Sequence, residues 1–306
     1  MNNTKSPSNI NYTYKGYNSL LKDYHFNNYT PGGIPKIIIK TSWHTRNKFP
    51  SELTLTLNNT ILLNPDYNLY YFDDDEVIEF MKSYSKKAYK AYKKLIPGAY
   101  KADLFRYCIL EKYGGCYSDI GHILYVSFDT ICENNKLILV KDLNDTGIHN
   151  ALMCVVPHHP FIKKLVDNCI ENIENKYYGY SSLSITGPVF VGTLFYKFFY
   201  NNLDYLTQSD AYYYNNNLFE KEINKNIFNK YIKPGTNKDT KILKLEVIGN
   251  EDKTSTNGNN YIIDKDENIL IKSKFDNYYT IMYSNQPYYN NLWKTKNVYY
   301  DYVDDY

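Results

Sequence analysis

AYKADLFRYCILEKYGGCYSDIGHIL, residues 99–124, predicts a helix, a glycine stop and a strand that ends on an acidic residue. Apolar residues recur at helical spacing from Ala102 to Tyr113, which indicates one buried helix face. Two glycines then favour a left-handed stop. The run Cys116–Val126 that follows is rich in β-forming residues, so the sequence predicts a strand there.

Two features of this stretch carry charged groups. Asp103 and Arg106 are three residues apart and are therefore neighbours on the helix, which from the residues alone could be a surface ion pair. In the strand, alternation predicts Tyr117, Asp119 and Gly121 on one face, with His122 on the other. An acidic residue among apolar neighbours at a strand end requires a partner, such as a bound cation or a sugar hydroxyl.

The spacing A-x-K-A-D-L-x-R-Y-x-I-L-x-x-Y-G-G-x-Y-x-D resembles the donor-sugar and DXD region of family 32 glycosyltransferases. These include yeast initiating mannosyltransferases, capsular polysaccharide enzymes and, more distantly, the large clostridial glucosylating toxins. Strands alternate with helices along the chain, which predicts an open α/β sheet of the doubly wound kind. The resemblance implies a GT-A fold with an open, mostly parallel Rossmann-like sheet, helices on both faces and a small antiparallel flap.

The chemistry implied by the resemblance is transfer of a sugar from a nucleotide-diphosphate sugar, UDP- or GDP-linked, to a glycan or protein acceptor with retention of configuration. Mn²⁺ or Mg²⁺ would assist the departing diphosphate, since both cations favour oxygen ligands. Asp119, Asp103 and Arg106 would form the catalytic group. By the same resemblance, Asp103 and Arg106 would bind donor-sugar hydroxyls, Tyr117 would line the donor pocket and Asp119 would sit at the ribose, sugar or metal.

Further donor-binding residues follow from segments that match the family. Trp43 ends the apolar run IPKIIIKTSW, and it is either beside the nucleotide base or a core aromatic. Asn150 lies in NALMCVVPHHPF, and Thr186 with Gly187 lies in a T-G-P segment where a helix opening could face a phosphate or sugar. Trp293 is the candidate for a C-terminal tryptophan that closes over the nucleotide.

One position departs from the family pattern, because the second acid of D-x-D is replaced by Gly121 in D-I-G-H. Glycine has no side-chain ligand for a metal. His122 could coordinate together with Asp119, a ligand could come from Asn285 or Asn291, or the metal could be weak or absent. A degenerate glycosyltransferase that binds nucleotide-sugar or glycan without turnover is therefore the alternative function.

A third class, a metal-dependent nuclease or phosphatase, could use Asp73–Asp75 and His158–His159. Both groups precede helical patterns, so helix capping is the simpler interpretation.

Composition restricts the remaining possibilities. The chain has 306 residues, 43% hydrophobic and 22% charged, with a net charge of +2, which disfavours nucleic acid as a partner. We expect a polar N-terminal arm over residues 1–30, one catalytic domain over 31–306 and a peripheral insertion at about 201–280. The five cysteines have no metal-ligand spacing and predict buried free thiols. No secretory signal or membrane span is evident, so the sequence predicts a soluble, cytoplasmic protein, or one in host cytoplasm if it comes from a large virus or parasite.

Overall fold

The computed structural model describes residues 14–26, 33–143, 147–199, 235–237, 239–248, 260–284 and 287–301. The helices are α1 Tyr17–Phe26, α2 Ser51–Leu63, α3 Asp74–Tyr84, α4 Lys86–Lys94, α5 Gly98–Tyr113, α6 Phe128–Cys132, α7 Pro160–Glu174, α8 Pro188–Phe199, α9 Tyr278–Met282 and α10 Tyr289–Lys294. The strands are β1 Ile37–Thr41, β2 Asn68–Phe72, β3 Gly115–Ser118, β4 Ile123–Leu124, β5 Leu137–Lys141, β6 Leu152–Val155, β7 Gly235–Asn237, β8 Thr240–Val247, β9 Asn260–Ile263 and β10 Ile269–Lys272.

These strands form one sheet in the order β2-β1-β3-β6-β5-β8-β9-β10-β4, with β7 paired to β8. Three pairings are parallel, β1–β2, β1–β3 and β5–β8. Six are antiparallel among the described strands. The predicted mostly parallel sheet is therefore wrong, because β6 enters between β3 and β5 in the opposite direction. The predicted antiparallel flap corresponds to β9, β10 and β4.

Helices cover both faces of the sheet, as predicted for an α/β fold, and each face has its own core. In β1 the side chains of Ile37 and Ile39 pack in the core that also receives α3, α5 and α7. Ile38 points to the other core, which receives α2 and α6. Burial on both faces explains why the β1 sequence is a continuous apolar run. This α/β arrangement is consistent with the GT-A fold that the resemblance implies.

Residues 99–124 form the predicted helix, glycine stop and strand, but α5 is buried on nearly all sides rather than on one face, because it packs between the sheet and other helices. Helix α5 ends at Gly114, whose φ is +63°, and Gly115 follows at +91°. A Cβ at Gly115 would lie 2.7 Å from the Ile37 carbonyl oxygen, so glycine permits β3 to pair closely with β1. The strand is shorter than predicted, because a turn at Ile120–Gly121 separates β3 from β4.

Two predicted boundaries differ from the structure. Part of the N-terminal arm is a helix, and its Tyr17 and Leu20 are fully buried in the core. The described part of the region 201–280 is not peripheral, because β8 pairs in parallel with β5 inside the main sheet. The alternating apolar residues of β8, including Leu243 and Leu245, are buried and fix this position.

One residue of each group considered for a two-metal site is a helix N-cap. The Asp73 side chain accepts from the Glu76 backbone N–H in a capping box, and the His159 side chain accepts from the Phe161 N–H. All five cysteines are buried free thiols, as predicted. No helix in the described residues is long and apolar enough to cross a bilayer.

Candidate donor-sugar site

A cavity of about 400 Å³ opens where the carboxyl ends of β1 and β3 meet. Open α/β sheets bind ligands at this edge, where loops leave neighbouring parallel strands. The cavity is lined by Trp43 after β1, Tyr117 and Asp119 at the end of β3, and Arg106 from α5. The C-terminal segment closes the opposite side with Tyr278, Met282, Tyr283, Pro287, Tyr289 and Tyr300.

Arg106 is the central cation of this cavity. Its Nη2 lies 3.2 Å from Asp103 Oδ1 and 3.5 Å from Asp119 Oδ1. Its Nη1 donates to the Asn150 carbonyl oxygen at 2.6 Å, and its guanidinium lies 4.4 Å above the Tyr117 ring centre. Burial acts against the charge, but Tyr117, Asp119 and Asp103 raise the pKa of Arg106, which stays protonated. The helix, the strand and the loop before β6 therefore converge on one fixed positive charge.

Asp103 lies behind Arg106 and orients it. The carboxylate accepts from Thr186 Oγ1 at 2.7 Å and from Asn150 Nδ2 at 2.8 Å, in addition to the guanidinium. Burial raises the pKa of Asp103 to about 6, although Arg106 and the Thr186 hydroxyl act to lower it. A carboxylate already occupied by three protein donors has little capacity left for a ligand, so its geometry is that of a positioning group.

The structure thus separates the predicted donor-binding residues into two layers. Trp43, Arg106, Tyr117 and Asp119 line the cavity. Asn150, Thr186 and Gly187 are buried behind it around Asp103, and a Cβ at Gly187 would lie 3.7 Å from Asp103 Oδ2. The helix opening at α8 therefore packs beside a carboxylate rather than at the cavity wall. Predicted direct contacts of these three residues with the donor are not supported by this geometry.

Of the two tryptophans predicted to bind the donor, Trp43 lines the cavity and Trp293 does not. Trp43 Nε1 donates to the Met282 carbonyl oxygen at 3.0 Å, and its ring stacks on His44 with centres 3.8 Å apart. Trp43 therefore joins the end of β1 to α9 at the cavity. Trp293 Nε1 instead donates to the Tyr178 carbonyl oxygen at 2.8 Å, and the ring packs on the core away from the cavity lining.

Asp119 is one of two acids in the cavity lining, with Asp74, and 28% of its side chain is exposed. Its backbone N–H donates to Ala151 O at 2.9 Å, and its carbonyl accepts from Lys40 Nζ at 3.0 Å. Lys40 is fully buried and also donates to Ser118 Oγ at 3.0 Å. Burial lowers the pKa of Lys40 to about 7, and Asp119 opposes this shift.

The predicted metal ligands do not assemble at this carboxylate. Gly121 offers no side-chain ligand, and a Cβ there would lie 2.5 Å from Cε2 of Tyr278. His122 is fully buried, with Nδ1 2.9 Å from Ser118 Oγ and Nε2 without a partner among the described residues. Asn291 is exposed, and Asn285 lies outside the described residues. Among the residues that the structure describes, the one compact group of three His, Cys, Asp or Glu is Cys116, Cys132 and Cys154, in the sheet core.

Sequence reasoning missed Lys40 and the aromatic residues of the C-terminal segment. A lysine inside the apolar run IPKIIIKTSW was a usable signal, because a fully buried strand has no solvated face for an ammonium group. No comparable signal marks Tyr278, because tyrosine is abundant throughout this chain, with 36 copies.

Residues 50–138 match the family model described as the glycosyltransferase sugar-binding region containing a DXD motif. This part of the chain is therefore similar to the sugar-binding region of glycosyltransferases. The matched range includes α5, β3 and the D-I-G-H turn, so it supplies Asp103, Arg106, Tyr117 and Asp119 to the site.

Similar proteins include mannosyltransferases. The "Mannosyl phosphorylinositol ceramide synthase CSH1" of Saccharomyces cerevisiae is 30% identical over 174 residues, which cover 54% of this chain and 43% of that protein. The "Initiation-specific alpha-1,6-mannosyltransferase" of Candida albicans is 38% identical over 88 residues, 28% of this chain and 23% of that protein. The chain spans about half the length of the first curated relatives it matches. A solved structure, "PaToxG Glycosyltransferase", aligns at 18% identity with a TM-score of 0.45, covering 70% of this chain and 83% of that one.

Proposed function

We propose that this protein is a glycosyltransferase that moves a sugar from a nucleotide-diphosphate sugar to a glycan or protein acceptor. The observation that carries the proposal is Arg106, a buried guanidinium that lines the cavity and is held by Asp103, Asn150 and Asp119. Arg106, Asp103 and Asp119 lie inside the matched range 50–138. Arg106 and Asp119 line the cavity at the sheet edge where α/β folds bind ligands.

Arg106 and Asp119 would act on the donor in complementary ways. The guanidinium can donate to phosphate oxygens or sugar hydroxyls, and it stabilises negative charge on the departing diphosphate. The partly exposed Asp119 carboxylate can accept a hydrogen bond from a ribose or sugar hydroxyl. Because Asp103, Asn150 and Tyr117 fix the guanidinium in advance, little reorganisation is needed when charge develops.

The nucleoside would bind between Trp43 and the tyrosines of the C-terminal segment. Trp43 lies at the end of β1 and is fixed by its hydrogen bond to Met282 O. Its indole offers an aromatic face to a nucleobase, an arrangement worth about 1–3 kcal/mol per stacked base. Retention of configuration is an expectation from the family resemblance.

Product release measures this function directly. Purified protein is mixed with UDP-glucose, UDP-N-acetylglucosamine or GDP-mannose, and free UDP or GDP is quantified with and without a glycan acceptor. GDP-mannose belongs in the panel because similar proteins are mannosyltransferases. We expect one donor to be consumed, and Asp119→Asn to reduce that rate by about 10- to 100-fold, the scale of a lost hydrogen bond to a charged group.

Asp167→Asn is the matched control, because Asp167 is an exposed residue of α7 that pairs with Lys163. It should retain the wild-type rate. Nucleotide binding without consumption of any donor would favour the degenerate binder, the alternative that Gly121 suggests. Failure to bind any nucleotide would refute the glycosyltransferase proposal.

A further inference from the structure

The space for a second acid in the D-I-G-H turn is already filled by an aromatic ring. A Cβ built on Gly121 would lie 2.5 Å from Cε2 and 2.7 Å from Cδ2 of Tyr278. Real Cβ atoms do not approach ring carbons this closely, so no side chain fits at position 121 while the ring stays. We refer to this volume beside Gly121 as the second-acid position.

Tyr278 is held in this position by its own neighbours. Its ring meets Phe275 edge-on at 5.4 Å and Tyr279 at 5.6 Å between centres, and Lys274 Nζ lies 5.4 Å from the ring centre. The helix that begins at Tyr278 is tied to β1 by the Trp43–Met282 hydrogen bond. The ring is therefore part of the packed wall of the cavity.

The remaining acid, Asp119, has a cationic partner from the chain itself. Arg106 Nη2 lies 3.5 Å from its carboxylate, and Lys40 donates to its carbonyl oxygen at 3.0 Å. The cavity lining contains two cationic side chains, Arg106 and Lys101, among the residues that the structure describes. The lining also contains two carboxylates, Asp74 and Asp119, so Arg106 and Lys101 are the groups in it that would attract a diphosphate.

We infer that the donor site operates without a divalent cation, with the Tyr278 ring in the second-acid position and with Arg106 and Lys101 supplying the positive charge opposite the diphosphate. This inference rests on the proposed function, since it concerns the same donor. The state of the turn carries it: its one carboxylate, Asp119, is already paired with Arg106, Gly121 has no side-chain ligand, and the imidazole of His122 is fully buried. A divalent cation would therefore find one engaged protein carboxylate beside the phosphate and water oxygens. Guanidinium and ammonium groups bind phosphate oxygens without further cofactors.

Calorimetric titration of UDP and GDP into the wild-type protein tests this inference. Each titration is done in EDTA and again in Mn²⁺. We expect one nucleotide to bind with the same Kd in both buffers, to within about twofold, a difference near 0.4 kcal/mol. Binding that requires Mn²⁺, or that strengthens tenfold or more with it, would overturn the inference while the proposed function stands. If neither nucleotide binds in either buffer, both are refuted.

A double substitution tests the role of the ring. In Gly121→Asp/Tyr278→Ala the acid is restored and the volume that it needs is vacated. We expect this variant to bind Mn²⁺ in the presence of nucleotide, measured in electron paramagnetic resonance as loss of the free Mn²⁺ signal relative to the same nucleotide and Mn²⁺ without protein. Tyr278→Ala alone removes the ring without adding a ligand, so it should leave the free Mn²⁺ signal unchanged.

Tyr278→Phe keeps the ring and is the matched control for both measurements. Circular dichroism establishes that each variant is folded. A folded double variant that leaves the Mn²⁺ signal unchanged would overturn the assignment of this ring to the second-acid position. If a variant does not fold, the wild-type calorimetry decides the inference by itself.

Discussion

Lys40 gives a quantitative prediction, because a fully buried ammonium group in a central strand makes stability depend on pH. The side chain lies under the D-I-G-H turn and donates to Ser118 Oγ and to the Asp119 carbonyl oxygen, each at 3.0 Å. Burial lowers its pKa from the ordinary value of 10.5 to about 7. Lys40→Met removes the charge and keeps nearly the same chain length, so it isolates this effect.

The sign follows from the protons bound in each state. Between pH 7 and pH 10.5 the unfolded chain carries a protonated Lys40 and the folded chain a neutral one, so the free energy of unfolding rises with pH. The full shift corresponds to about 5 kcal/mol. The unfavourable contribution is absent above pH 10.5, grows as pH falls through this window and is complete below about pH 7.

The assay is urea unfolding of wild type and Lys40→Met in EDTA, at about pH 7.5 and about pH 9. Over this interval the wild type should gain about 2 kcal/mol relative to the variant, at 1.36 kcal/mol for each pH unit. Titration of the other groups is common to both proteins and cancels in the difference. Lys36→Met, at a half-exposed lysine before β1, reports the effect of removing a surface charge. Equal pH dependence in wild type and Lys40→Met would refute the reasoning.

Three further predictions concern the site. Thr186→Val should lower the free energy of unfolding by about 1.5–3 kcal/mol in chemical denaturation, because the hydroxyl bonds the buried Asp103 carboxylate at 2.7 Å; a change below the error of the measurement would contradict this. Gly121→Ala should lower the free energy of unfolding by about 1–3 kcal/mol, because its Cβ would clash with the Tyr278 ring at the second-acid position. Thermal unfolding should show a smaller loss of stability when the Tyr278 ring is also removed. The bound nucleotide should quench the fluorescence of Trp43, one of two tryptophans. Quenching should therefore persist in Trp293→Phe and disappear in Trp43→Phe, and the reverse result would show that the base does not bind beside Trp43.

Much of the fold could be predicted from the sequence, because local patterns reflect local physics. The apolar run before Trp43 becomes β1, and the predicted helix α5 runs up to the glycine pair that ends it. The Asp73 cap was readable for the same reason, since an N-cap depends on residues within one turn. Strand direction was not readable, because the same apolar residues suit parallel and antiparallel pairing, and β6 pairs antiparallel to β3.

The candidate site was likewise predictable from the sequence only in part. The spacing of Asp103, Arg106 and Asp119 within one stretch identified the region, and the match over residues 50–138 agrees with it. That Asn150 and Thr186 serve Asp103, rather than the cavity, depends on distances between separate segments of the chain.

The amino-acid sequence by itself determined the helix–glycine–strand unit, the single acid of D-I-G-H and the absence of a ligand at Gly121. Only the tertiary structure places the Tyr278 ring in the position that the missing ligand would occupy. Tyr278 reaches Gly121 because the C-terminal segment packs across the ends of β1 and β3, a contact between residues far apart in the chain. Local periodicity carries no information about such a contact, since it is set by the packing of the whole core.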